Sequence, residues 1–165
     1  MTRRLWVVGI IGLSVTAAMS CHRAGQSSLA SIAPDSLTGI VSITGTAFEQ
    51  RLVLRSGNRT TYLSAATSDS AALSRMGGVE VVVMGKRGPK VFWVNRFTAV
   101  SVNGSPVADG VLKNENGKLV LETSNGRIPL GNPPVALRSM VAARIWIGGP
   151  LDTGPNFYGL IVPPQ

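Results

Sequence analysis

The sequence predicts an all-β protein with short helices, its folded part arranged as two tandem five-stranded units. Three observations lead there. Aromatics are scarce at 5%, and small aliphatic and β-branched residues stand alongside 19 Gly and 10 Pro, a mixture that suits short strands and frequent turns. Apolar runs are punctuated by turn signals such as Ser56-Gly57-Asn58 and Gly88-Pro89. The chain from Leu37 onward also repeats itself.

The N-terminus is set apart from this pattern. Residues 1–20 read as an export signal: Arg3 and Arg4 form a basic start, and 5–18 are uncharged and mostly apolar. That stretch is shorter than the roughly 20 residues of a membrane span. Its removal leaves 145 of the 165 residues, enough for one medium domain or two small ones. Ala18-Met19-Ser20-Cys21 resembles the bacterial lipobox that precedes a lipidated cysteine. Ser20 and Cys21 match that pattern, whereas Ala18 stands where leucine is usual and Met19 is not a typical occupant. Ala18-Met19-Ser20 also fits ordinary small-x-small cleavage. The sole cysteine falls at the right place, which favours lipidation. The resemblance implies a diacylglycerol on the Cys21 thiol, each buried CH₂ contributing about 0.8 kcal/mol to membrane attachment. The protein is then exported and membrane-anchored in the bacterial cell envelope. The absence of an acidic residue at position 22 permits outer-membrane sorting in a Gram-negative cell. Residues 21–36 form the lipidated cysteine and a flexible tether, small and polar without periodicity, in which His22 is a tether residue. A tether of about fifteen residues spans roughly 20 Å.

The repeat divides the rest into units 37–104 and 105–165. Leu52-Val53-Leu54 answers to Leu119-Val120-Leu121, and Leu63 to Leu130, each 67 positions on. Leu73 and Met76 answer to Leu137 and Met140, and Val81, Val83 and Gly85 to Ile145, Ile147 and Gly149, 64 on. Phe92-Trp93 answers to Phe157-Tyr158, 65 on. The offset changes only between these blocks, where loops absorb insertions. In the first unit, strands are expected over 38–47, 51–55, 60–64, 79–84 and 91–102, with a short helix over 70–76 ended by Gly77-Gly78. In the second they are expected over 110–113, 118–123, 126–130, 142–148 and 156–162, with a short helix over 134–140. The stretch 114–117 reads as polar, which leaves the first strand of this unit short and its barrel incomplete.

Three strands, a helix and two further strands in about 65 residues resemble the OB-fold, a five-stranded, partly open Greek-key barrel. The closer resemblance is to small exported bacterial OB-fold domains of uncharacterised families. Those carry an early G-x-V strand, an L-x-L strand, and G-x-x-V-x-V-x-G after the helix. Here these read Gly39-Ile40-Val41, Leu52-Val53-Leu54 and Gly78-Val79-Glu80-Val81-Val82-Val83-Met84-Gly85. The fold expected is therefore two tandem OB-fold-like small barrels, with a single β-sandwich of all ten strands as the alternative.

Catalytic chemistry is poorly supplied. Beyond His22 and Cys21 the chain has no histidine and no cysteine, so His-dependent nucleophilic catalysis is excluded within the two units, as is any disulfide or Cys-rich metal site. The carboxylates are scattered without calcium-loop spacing. Gly77-Gly78 and Gly148-Gly149-Pro150 lack the Lys-Ser/Thr of a phosphate loop and read as turns. No catalytic residue, metal ligand or cofactor is expected. The chain reads as non-enzymatic.

The remaining signal is basic charge. Residues 37–104 carry eight cations against three carboxylates, and residues 105–165 five against four, so the first unit is the expected contact for an anion. Leu52 and Leu54 should point into the barrel and Arg51 and Arg55 outward. Lys86-Arg87-Gly88-Pro89-Lys90 forms a basic turn. OB-folds commonly meet ligands at the strand 2–3 face and at the loops after strands 1 and 4. The resemblance therefore nominates Arg51, Arg55, Arg59, Lys86, Arg87 and Lys90 for an anion. One of Phe92 and Trp93 must face outward, and Trp93 is the stacking candidate. The expected partners are a membrane through the lipid anchor, and an anionic glycan, a lipid head group or an envelope protein. Nucleic acid is disfavoured by export. The function expected is envelope binding or scaffolding. A structural spacer or protein-interaction module is the alternative, and a cryptic hydrolase the third reading.

Overall fold

The computed structural model describes residues 34–165, and the expected signal segment, Cys21 and most of the tether lie outside the described residues. The described residues form one compact unit. It is mostly β, with few helices. Its elements run β1 (Asp35–Thr44), β2 (Arg51–Ser56), β3 (Arg59–Ser64), α1 (Thr67–Arg75), β4 (Val79–Arg87) and β5 (Phe92–Val102). They continue with β6 (Ser105–Glu115), β7 (Lys118–Thr123), β8 (Gly126–Pro129), a 3-10 helix (Val135–Met140), β9 (Arg144–Gly148) and β10 (Phe157–Val162).

The first five strands close on themselves. β1 pairs antiparallel with both β2 and β4, β2 with β3, and β4 with β5. A parallel contact between β3 and β5, Leu63 opposite Phe92 and Ser64 opposite Trp93, completes a ring of five. The period of two sets the inside. Val41, Leu54, Val81, Val83, Phe92 and Val94 fill the ring, and Leu73 of α1 and Met76 just after it plug it. At Gly39 the backbones come so close that a Cβ would overlap the Arg55 carbonyl oxygen.

Asn103 and Gly104, with φ of 50° and 78°, make the tight turn from β5 into β6; two positive φ values are what a two-residue hairpin matching strand twist requires. β6 stays with β5 only as far as Pro106, whose ring nitrogen has no hydrogen to donate. It then runs between β7 and β9, while β8 joins β7 and β10 joins β9. The order β8-β7-β6-β9-β10 has the same neighbours as β3-β2-β1-β4-β5, without pairing between its two outer strands. Gly110 repeats the close approach of Gly39, its added Cβ overlapping the Glu122 carbonyl oxygen. A second core gathers Leu112, Leu119, Leu121, Leu137, Ile145 and Ile147. Ile161 of β10 instead enters the first core, where α1 packs against its strand and the Arg75 Nη1 donates to the Ile161 carbonyl at 3.2 Å.

Most boundaries shift by a few residues from the sequence reading, α1 to Thr67–Arg75 and the end of β4 to Arg87 among them, and two differences bear on the fold. β1 begins at Asp35, within the expected tether and three residues before the expected strand, because Asp35, Ser36 and Leu37 pair with Gly85, Met84 and Val83. β6 is eleven residues long rather than four. Its polar positions Asp109 and Asn114 break the alternation that sequence reading relies on, but strands on either side hold its backbone regardless.

Candidate functional site

Leu52 and Leu63 are inward positions near one end of the ring, where the closure between β3 and β5 leaves a mouth. A groove of about 850 Å³ opens there, within the size range of small-molecule sites. Four elements build it. β1 gives Ile43 near its end, β2 gives Arg51 and Leu52 with Gln50 just before it, β3 gives Tyr62, Leu63 and Ser64, and α1 adds Ser70 and Ser74. The turn after β4 closes the rim with Lys90 and Val91. Leu52, Leu63 and Ile43 give apolar surface, and Gln50, Ser64, Ser70, Ser74 and Tyr62 give hydrogen-bonding groups. Two cations, Arg51 and Lys90, line it, and no carboxylate does. Among the described residues neither cation forms an ion pair. The Arg51 guanidinium lies 6.0 Å from the Tyr62 ring centroid, at the outer range of a cation–π contact.

The six nominated cations therefore occupy different places. Arg51 and Lys90 meet at the groove. Arg55 is exposed on the outer face of β2, opposite Ile40 and Thr60, and Arg59 follows the β2–β3 turn. Lys86 and Arg87 end β4, where Lys86 stands opposite Trp93. Of the adjacent aromatics, Phe92 is buried and Trp93 is 53% exposed. Sequence reading did not single out Tyr62, Ile43 or Phe48. Tyr62 and Ile43 reach the groove only because the ring closes, which no local pattern reports. Phe48, on the connection between β1 and β2, is 99% exposed; an isolated aromatic between Gly45 and Gln50 was the available signal.

The second half carries a groove in the matching place. It is lined by Gly117, Lys118, Leu119, Pro129, Leu130 and Arg138 among others, with a volume of about 490 Å³. Lys118, Leu119 and Leu130 stand 67 positions after Arg51, Leu52 and Leu63. Pro129 takes the place of Tyr62, and Asp152 adds a carboxylate.

Asp109 and Glu122 line a third, smaller groove between the halves, and both are already engaged. Glu122 lies 3.8 Å from Lys113 and 4.0 Å from Arg127. The Asp109 side chain, 3% exposed, accepts from Arg144 Nε and Nη2 and from the Ala99 backbone N–H, each at 2.8 Å. Arg144 Nη2 also donates to the Phe97 carbonyl at 2.6 Å, and its guanidinium sits 4.5 Å from the Phe97 ring centroid. Ala99 adjoins an irregularity in the β4–β5 register, and Asp109 supplies an acceptor for its N–H there. This cluster ties β5 to β6 and β9; its groups are committed to one another rather than free for chemistry.

Comparison of the chain with protein-family models, with curated proteins and with solved structures gives no match.

Proposed function

We propose that the chain is a lipid-anchored, non-enzymatic binding protein of the cell envelope, built from two tandem OB-fold-like units, that holds an anionic ligand in the groove at Arg51 and Lys90. The carrying observation is the lining of that groove: two unpaired cations, neutral hydrogen-bonding groups, an apolar floor and no carboxylate. Such a site attracts a carboxylate or phosphate attached to an apolar or sugar body, because the charges steer the anion while Leu52, Leu63 and Tyr62 cover the rest. The strand order of the first ring and the helix between β3 and β4 support the OB-like reading. The repeated strand order, the paired close approaches at Gly39 and Gly110, and the matching grooves support duplication. The envelope location rests on Cys21 and the segment before it.

The test is binding of a uronate-bearing oligosaccharide by calorimetry, together with the mass and membrane partition of the mature protein. Arg51→Ala with Lys90→Ala should weaken binding at least tenfold, and Arg59→Ala should leave it unchanged. Binding indifferent to Arg51 and Lys90 would exclude the groove. An unmodified, soluble mature chain would exclude the anchor. A protein-partner reading draws on a separate observation, the unpaired outer strands β8 and β10 of the second half, since open strand edges accept an added strand.

A further inference from the structure

A second basic cluster lies outside the groove, on the outer face where β4 meets β5. Register places Lys86 opposite Trp93, and Met84 opposite Arg96. Residues directly opposite in an antiparallel pair share a face, and all four are exposed. Trp93 is 53% exposed and Met84 39%. Arg87 ends β4 next to Lys86, and an added Cβ at Gly88, on the turn that follows, would lie 3.1 Å from the Trp93 Nε1. The carboxylate on the neighbouring end of β1 is Asp35, 3.9 Å from the Arg87 Nε. β1 begins at Asp35, opposite Gly85, so a chain anchored at Cys21, fourteen positions earlier, joins the fold beside these cations.

We infer that this face docks on an anionic bilayer, with Trp93 and Met84 in the head-group region and Lys86, Arg87 and Arg96 against lipid phosphates. An indole suits that depth because its body is apolar and its N–H is polar. A methionine side chain adapts to an irregular apolar surface. Each cation near an anionic surface raises occupancy about fivefold. A tether this short keeps the face within reach of the bilayer, so contacts too weak to recruit a free protein still hold an anchored one. Delivery to the membrane rests on the proposed lipidation; the chemistry of the face does not.

The experiment uses the mature protein extracted from membranes and reconstituted into vesicles with brominated acyl chains. One set is phosphatidylcholine alone, and the other contains about one-third phosphatidylglycerol. The fluorescence difference between the unaltered protein and Trp93→Phe isolates Trp93. Quenching of Trp93 is expected in the anionic vesicles and not in the neutral ones. Lys86→Gln with Arg87→Gln should lower the ratio of docked to undocked protein about 25-fold, whereas Arg59→Gln should have no effect. Absence of quenching in anionic vesicles, or equal quenching in neutral ones, overturns the docking face. The anchor is read separately, by flotation with neutral vesicles. If flotation fails while Trp93 is still quenched in anionic vesicles, the face stands and the anchor falls.

Discussion

Replacing Asp109 with alanine tests whether the Asp109–Arg144 pair of the second half, through its bonds to Ala99 and Phe97 of β5, fastens the two halves together. The carboxylate is 3% exposed and holds Arg144 through two oxygens while accepting the Ala99 N–H. Its loss leaves Arg144 without a counter-charge, a change that costs about 3 kcal/mol at the lower end for a broken buried pair. The lower end applies because Arg144 is 28% exposed and keeps its bond to the Phe97 carbonyl. Orphaning the Ala99 N–H adds about 1 kcal/mol. The sum is about 4 kcal/mol, which should lower the midpoint of urea unfolding by about 2 M and the melting temperature by about 12 °C. Intrinsic fluorescence reads the transition, since Trp146 packs against Phe157 with ring centroids 6.1 Å apart. Asp109→Asn keeps an acceptor for Ala99 and should lose about half as much. In the double-mutant cycle with Arg144→Ala, a coupling of about 2 kcal/mol is expected. A loss under about 1 kcal/mol for Asp109→Ala, or additivity in the cycle, would show that the joint is carried by apolar packing instead.

Other perturbations follow from the packing. Gly39→Ala and Gly110→Ala each force a Cβ against a carbonyl oxygen of the paired strand, and each should cost about 2 kcal/mol in thermal unfolding; equal and small losses would remove the argument for matched close approaches. Ile161→Ala empties a fully buried position in the first core and should cost about 3 kcal/mol. Its effect should appear as faster hydrogen exchange in β1 and α1 as well as β10; exchange confined to β10 would contradict the shared core. Trp93→Ala removes an exposed ring and should change the unfolding free energy by less than about 0.5 kcal/mol, measured by urea titration.

What the amino-acid pattern revealed, and what it hid, divides along physical lines. Alternation places Leu52 and Leu54 inside and Arg51 and Arg55 outside, because strand sidedness is a local property. Phe92 and Trp93 separate for the same reason. Val53 departs from this rule: it shares the outer face of β2, opposite Ser42 and Tyr62, and is nonetheless fully buried. Its environment comes from neighbouring strands, which periodicity within β2 does not describe. β6 was underestimated because Pro106, Asp109 and Asn114 look like loop residues until β7 and β9 are paired beside them. Arg51 and Lys90 were both nominated, but nothing local says that they share a groove and that Arg59 does not. That sorting depends on the parallel contact of Leu63 with Phe92, a closure between residues far apart in the chain.

The placement of Ile161 has a consequence for how this chain can be cut, made and inherited. The last strand puts Ile161 into the core of the first half, while Tyr158 and Leu160 pack on the core of the second. During synthesis the first ring therefore cannot finish packing until β10 has left the ribosome. A gene fragment ending at Gly104 would encode all five ring strands and still have a hole where Ile161 belongs. The two halves look interchangeable in strand order, yet neither can be shuffled into another protein without its partner. Ile161, with Val107, Trp146 and Val162 packed against the same core, makes the two halves one unit of stability.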